Sequence, residues 1–277
     1  MRVESSPRMV FTMRAFASVM CLVLVVVGHA SVVAQDAPDD PDLPQVDTTD
    51  TTIKSYTDGK SLAPYAVAIH EDPKPGQYWE VGSDSFDIKT TNRWQVSRID
   101  GDVALLEQRV SMSAEMFKSD YVLGYRVDLK PERGAPSVTK AWIGKPGGKP
   151  QVIQIAKMPA VEAPDTEAED DTPNDEGQPF EALELAGTTW KGRLYTHEFD
   201  DMTTKIWVVE NGWFDRIAKT TAGDEFEQKL QSFGYDAEPL MLWPEDWQDA
   251  GDEEKSDPEA GKDGDKDNPA EEPPKQD

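Results

Sequence analysis

The densest set of potential ligands in the chain is His197-Glu198-Phe199-Asp200-Asp201. On a strand, successive side chains point to opposite faces, so His197 and Glu198 diverge and His197 shares its face with Phe199. That geometry does not converge on a metal ion, and the run reads better as the solvated end of a hairpin. His70-Glu71-Asp72 runs into Pro73 and reads as the start of a polar loop. A serine–histidine–carboxylate triad would have to draw on His70 or His197, because the third histidine, His29, follows an apolar N-terminal run. No Gly-x-Ser-x-Gly elbow, Gly-x-Gly-x-x-Gly fingerprint or P-loop occurs. Lys145-Pro-Gly-Gly-Lys149 is rich in glycine but opens a strand, so it is a hairpin turn and not a phosphate cradle. Carboxylate pairing for glycoside cleavage is a tertiary property, and nothing in the sequence singles out a pair. The expectation is therefore a non-enzymatic chain, with no catalytic, metal or cofactor-binding residue assigned and no cofactor.

The eight tryptophans are Trp79, Trp94, Trp142, Trp190, Trp207, Trp213, Trp243 and Trp247. Most of them fall in or beside predicted strands, where cross-strand aromatic packing accounts for them. The functional alternative is a platform for acyl chains or sugar rings. Trp142, Trp190, Trp207 and Trp213 are the candidate ligand contacts, and Trp213, after Asn211-Gly212, is expected to be exposed in a turn. Trp243 and Trp247 bracket Pro244, and one reading has them clamping the last strand.

The elements that must position these side chains are mostly strands. Tyr121 to Leu129 alternates strictly, placing Tyr121, Leu123, Tyr125, Val127 and Leu129 on one face. Asp100-Gly101-Asp102 separates strands 94–99 and 103–110, and the Lys145 turn separates 138–144 from 151–156. Two further hairpins pair 190–199 with 203–210 and 216–220 with 225–233. Shorter strands are expected at 78–81, 86–90 and 181–185. Helix signals are few: short pieces at 61–71, 113–119 and 240–247, the first limited by Pro64. The fold class is mainly β, an antiparallel meander of about ten strands forming a curved open half-barrel or a sandwich.

The chain has 277 residues, 28 basic and 54 acidic, for a net charge of −26. The acids concentrate in three stretches, around 36–50, 159–187 and 245–277, leaving the β-rich remainder close to neutral. Such stretches cannot bury enough apolar area to offset the entropy of ordering them. The organisation is read as an N-terminal export signal over 1–34, an acidic disordered leader over 35–60, and a single β domain over 61–158 and 181–248. An acidic disordered insertion at 159–180 interrupts that domain, and an acidic disordered tail follows at 249–277. Arg2, Arg8 and Arg14 precede an uncharged stretch from Ala15 to Gln35, with small residues near Ala30 and Ala34 suited to cleavage. The chain is expected to be periplasmic or extracellular; an uncleaved 15–35 would instead anchor it, and this is the membrane contact expected. Cleavage would remove Cys21, the single cysteine, leaving a mature chain without thiols. Binding to nucleic acid is disfavoured because it needs a basic surface.

Leu185-Ala-Gly-Thr-Thr-Trp-Lys-Gly-Arg-Leu-Tyr195, Thr203-Thr-Lys-Ile-Trp-Val-Val209, Asn211-Gly-Trp213, Ile217-Ala-Lys219 and the closing Phe233-Gly234 form a pattern. With Pro75-Gly-Gln-Tyr-Trp79 upstream, it resembles the strand pattern of uncharacterised exported bacterial β-proteins. Those are similar in expected fold to periplasmic lipoprotein carriers, whose open half-barrels hold acyl chains on the concave face. The turn Glu210-Asn-Gly-Trp213 departs from the pattern by lacking its proline. The resemblance implies a hydrophobic small molecule or lipid as ligand; the alternatives are a sugar- or protein-binding module using exposed tryptophans, and a hydrolase of envelope polymers. A carrier should show a continuous apolar concavity, a sugar binder a flat row of exposed tryptophans, and a hydrolase clustered titratable groups in a cleft.

Overall fold

The computed structural model describes residues 44–132, 134–158, 177–199 and 202–248. The expected export signal over 1–34, most of the expected acidic insertion and the expected tail over 249–277 lie outside the described residues.

The chain enters at β1 (Val46–Asp47) and a nine-residue helix, α1 (Thr49–Thr57). An irregular segment then leads to six strands: β2 (Tyr78–Ser85), β3 (Ile88–Asp100), β4 (Val103–Ser113), β5 (Phe117–Asp128), β6 (Val138–Gly144) and β7 (Gln151–Ile153). The second half contributes β8 (Gln178–Leu185), β9 (Thr188–Phe199), β10 (Met202–Val209), β11 (Ile217–Ala222) and β12 (Phe226–Gly234). All join one 12-stranded sheet in the order β7-β6-β5-β4-β3-β2-β12-β11-β10-β9-β8. Pairing along this path is antiparallel, and only the short β1 pairs in parallel, with the start of β5. The sheet is open, so the curved-sheet expectation holds and a two-sheet sandwich does not.

Each run of neighbours in that order is a meander of hairpins, as the period-two patterns predict. The seam is not local: β12 returns to pair with β2, setting Phe233 opposite Trp79 and Gly234 opposite Tyr78. Bulges on β3 between Val96 and Arg98 and on β12 between Leu230 and Ser232 add local twist. The sheet curls until Trp79 of β2 meets Trp190 of β9, with ring centroids 5.3 Å apart, although three strands lie between them.

Four element expectations need correction. The only helix among the described residues is α1, which lies inside what reads as an acidic disordered leader over 35–60. Its sequence, TDTTIKSYT, is rich in β-branched residues of low helix propensity, which is why the pattern hides it. Residues 61–71 are not helical. They run beside the sheet, where Ala63 bridges Ile155 in parallel. The segment 113–119 is the tip of the β4–β5 hairpin, and 240–247 is an irregular strap. No helix among the described residues is long and apolar enough to cross a membrane.

The inner face carries the main core. Tyr121, Leu123, Tyr125 and Val127 of β5 all lie in it with Leu129 packed against them, as their alternation predicts. A second buried cluster sits on the opposite face, where Leu105, Val122 and Trp142 meet Met241, Trp243 and Trp247 of the strap.

Candidate functional site

The inner face from β3 to β7 is almost entirely apolar. Val96, Ala104, Leu106, Val127, Ala141 and Ile143 are fully buried in it. Alternating strand residues build this face, because every second side chain of five adjacent strands points the same way. What covers it is not a second sheet. The cover is α1, with Ile53 and Tyr56, followed by the irregular segment carrying Ala63, Val67 and Ile69. Ile53 is the single aliphatic side chain of α1, and Tyr56 stands 6.3 Å from Tyr121 between ring centroids.

The cover is held at its ends. At the first end the Val46 N–H donates to Met116 O and Thr48 N–H to Lys118 O, while Thr49 Oγ1 accepts from the Asp120 N–H. At the other, Ala63 exchanges two backbone hydrogen bonds with the chain around Ile155, and Val138 N–H donates to Tyr65 O. An exposed ion pair, Lys145 Nζ to Asp50 Oδ1 at 2.7 Å, adds little.

Three polar groups on this face satisfy one another, while the buried Ser119 hydroxyl has no hydrogen-bond partner among the described residues. The Tyr125 hydroxyl donates to Gln108 Oε1 at 2.8 Å, and Gln108 Nε2 donates to Asn92 Oδ1 at 3.1 Å. Burial pushes the Tyr125, Tyr121 and Tyr56 phenols above their ordinary range, so none is poised as an acid or base near neutrality.

At the far end of the inner face, Trp79, Trp190, Trp213 and Phe233 pack edge to face or tilted, at 5.1–6.3 Å. Trp79 Nε1–H donates to Ile217 O, and Trp190 Nε1–H to Leu185 O, so both indoles are satisfied within the core. His70 closes this cluster. Its Nδ1 accepts from the Phe214 N–H at 3.2 Å, which leaves Nε2 to donate to Gln77 Oε1 at 3.0 Å. Burial holds its pKa below the usual imidazole value. The turn it supports places Phe214 at φ 54° and Arg216 at φ 61°, a region that side chains rarely adopt. Between them, burial raises the Asp215 carboxyl to about 6 against the opposing Ile217 N–H donated to it.

The four candidate tryptophans do not form one platform. Trp213 and Trp190 are in the inner cluster, each 8 % exposed, which corrects the expectation that Trp213 is exposed in its turn. The turn folds inward because Gly212 lets the chain pass against Val209 and Arg216, where a Cβ would come within 2.5 Å of Val209 Cγ2. Trp142 lies under the strap on the outer face, its ring edge-on to Trp243 at 5.1 Å. Trp207 belongs to neither cluster; it is half-buried, with the Lys219 ammonium 5.3 Å from its ring centre. No flat row of exposed tryptophans results. Trp243 and Trp247 do clamp, but onto β4–β6 rather than onto the last strand, β12.

The residue that sequence reasoning missed is Glu107. It is fully buried on the outer face without a basic partner. Its carboxylate accepts from Gln95 Nε2 (3.0 Å), Leu240 N (2.8 Å), Met241 N (2.9 Å), Trp243 Nε1 (2.7 Å) and the Ser97 hydroxyl. Five donors offset the desolvation of the carboxylate and fix the strap to the sheet. A charged residue inside an apolar strand run, Val103-Ala-Leu-Leu-Glu107, was the available signal.

Among the described residues no three His, Cys, Asp or Glu side chains are placed to hold a metal, and His197-Glu198 does not contribute to such a group. An open depression of about 330 Å³ is lined by side chains such as Asp84, Lys89, Thr91, Glu227 and Lys229.

No protein-family profile matches this chain, and no curated protein does. Among solved structures, the hypothetical protein CT021 from Chlamydia trachomatis is similar over 62 % of this chain and 94 % of its own, at 12 % identity and a TM-score of 0.31. A likeness that slight carries no argument about function.

Proposed function

We propose that this is an exported, non-enzymatic protein that binds a hydrophobic or lipid-like ligand on the inner face of its curled sheet, between β3–β7 and the α1 cover. One observation carries the reading: an apolar face several strands wide is closed by a single helix and an irregular segment instead of a second sheet. In the closed form described here the face is filled by its own side chains and by the cover, so a ligand enters by displacing α1. The cover then competes with the ligand, and apparent affinity falls with the fraction of open molecules.

The test follows from that competition. The protein purified from an exporting host is analysed by native mass spectrometry, then titrated with a fluorescent fatty acid. Ile53→Ala, which loosens the cover without touching the sheet, is expected to raise apparent affinity several-fold over the parent chain. Equal, negligible binding by both proteins, together with a clean apo mass after exposure to lipid extract, would refute the reading. The buried positions of Trp190, Trp213 and Trp142 give a sugar platform no comparable support.

A further inference from the structure

The hairpin turns at the two ends of this sheet differ in kind. The register places the tips of β2–β3, β4–β5, β6–β7, β9–β10 and β11–β12 along one rim. Ser85 faces Ile88, Lys89 faces Ser113, Gln228 faces Ser83, Ala222 faces both Phe226 and Thr204, and Met202 faces Phe199. On that rim stand Phe86 (59 % exposed), Met116 (52 %) and Phe199 (70 %), with Met202 beside Phe199 and Val46 beside Met116. At the other end, the described turns at Gly101-Asp102, Lys130–Ser137, Ala186-Gly187 and Glu210–Arg216 carry no exposed large apolar side chain. Tyr235, exposed near that end, follows β12 and stacks edge-on against Trp213.

Phe86 adds a second observation. It and Asp87 form the two-residue tip of the β2–β3 hairpin, at φ 56° and 58°. Both central positions of such a turn favour asparagine, aspartate or glycine, and a bulky side chain there is strained. An aromatic ring held in a strained conformation and pointed at solvent contributes nothing to this core. Strain of this kind is retained where a surface has a use for it.

The chain enters the sheet at this same rim. Val46 lies only ten residues after the uncharged stretch 15–35, and ten extended residues reach at most ~35 Å. The charges on the rim narrow the partner further. Lys89 is paired with Asp84, Lys118 with Asp47 and Lys145 with Asp50; Lys149 in the β6–β7 turn is exposed, but so are Asp87, Glu115, Asp224 and Glu225, and the acids prevail. Such a rim is repelled by anionic headgroups.

We infer that this rim docks on a lipid bilayer of zwitterionic headgroups, with Phe86, Met116 and Phe199 entering the interface. Separate short apolar tips on a rigid sheet suit a fluid surface, which yields to each tip, better than a packed protein interface, which needs a continuous complementary patch. This proposal stands apart from the ligand reading and does not need it.

The full-length chain is tested with Cys21→Ser and one new cysteine carrying an environment-sensitive dye. The cysteine is placed at Glu115→Cys or Asp224→Cys on the rim, or at Asp102→Cys at the opposite end. Vesicles of phosphatidylcholine and phosphatidylethanolamine with nitroxide-labelled lipid are added. A blue shift and several-fold quenching at 115 and 224, with little change at 102, are expected. Added phosphatidylglycerol should not strengthen the effect, and Phe86→Asn with Met116→Ser and Phe199→Ser should abolish it. Protein that floats with vesicles while 115 and 224 stay unquenched would be held by the N-terminal stretch alone, and the proposal would fail. It would equally fail if all three positions responded alike, or if the rim dyes shifted without lipid as protein concentration rose, which would mark contact with a second copy.

Discussion

The Phe214 amide donates to His70 Nδ1, so the neutral imidazole is the form the fold accepts; protonating that nitrogen sets one N–H against another. Burial lowers the His70 pKa from 6.5. Its contribution to stability is therefore present above about pH 6.5 and lost as pH falls through the folded value. Asp215, next along the same turn, has the opposite sign. Burial raises its pKa from 3.8 to about 6, so the fold favours the protonated carboxyl, and stability falls as pH rises between those values. Asp215→Asn keeps an acceptor for the Ile217 N–H and removes the charge. It should gain about 1–3 kcal/mol at pH 7, with the gain vanishing near pH 4. The remaining profile should rise with pH as His70 dictates. Urea unfolding at pH 4 to 7 measures both, and a substitution equally neutral at pH 4 and pH 7 would contradict this account. Neither role was legible beforehand. His70 reads as a polar loop residue because the backbone donor it accepts lies far along the chain, at Phe214. Trp213 was misplaced for a related reason: an Asn-Gly turn signals a bend, and does not say whether the next ring goes in or out.

The strands of the hairpins were legible because period two survives in each: Tyr121 to Leu129 is read correctly residue by residue. The strap was not, since Leu240 to Trp247 has no period at all, and its order comes from the sheet beneath it. Gly124 and Gly144 make the groove. A Cβ at Gly124 would come within 2.6 Å of the Trp243 ring, and one at Gly144 within 2.9 Å of Met241 Sδ. Glu107 then anchors the strap backbone. Glu107→Gln presents an amide N–H₂ to a ring of donors, and should cost at least about 3 kcal/mol through the groups left unsatisfied. Gly124→Ala should loosen the strap by a different route, steric exclusion of Trp243. Both variants are expected to speed hydrogen exchange at the Leu240 and Met241 amides while the β2–β5 amides stay protected. Unchanged exchange at 240 and 241 in both would show that the strap does not depend on this clamp. The helix was misplaced for a complementary reason. The threonine-rich α1 is weak by propensity and is sustained by Ile53 against the sheet, a contact the sequence does not display.

At the scale of the molecule, the acidic insertion divides a sheet that is continuous in space. The chain before it supplies β1–β7 and the chain after it β8–β12, yet the seam between them is a strand pair in the middle of the sheet order. Six register pairs from Gln228–Ser83 to Gly234–Tyr78 join β12 to β2. The Trp79–Trp190–Phe233 cluster packs across that seam, and the strap then carries the second half onto β4–β6 through Glu107. Sequence periodicity identifies hairpins, whose partners are adjacent in the chain, and is silent on a pairing across some 150 residues; this is why the sheet order beyond the hairpins had to be observed. The arrangement makes a definite prediction. A glutamate-specific protease should cut within 159–176, which holds several glutamates and reads as solvated. The two fragments should remain together as one particle of unchanged size under native conditions, and should separate only in denaturant. Fragments that part on native size exclusion would mean the β2–β12 seam is too weak to hold the molecule. If Glu107→Gln alone lets the nicked halves part, the strap supplies a substantial share of the cohesion.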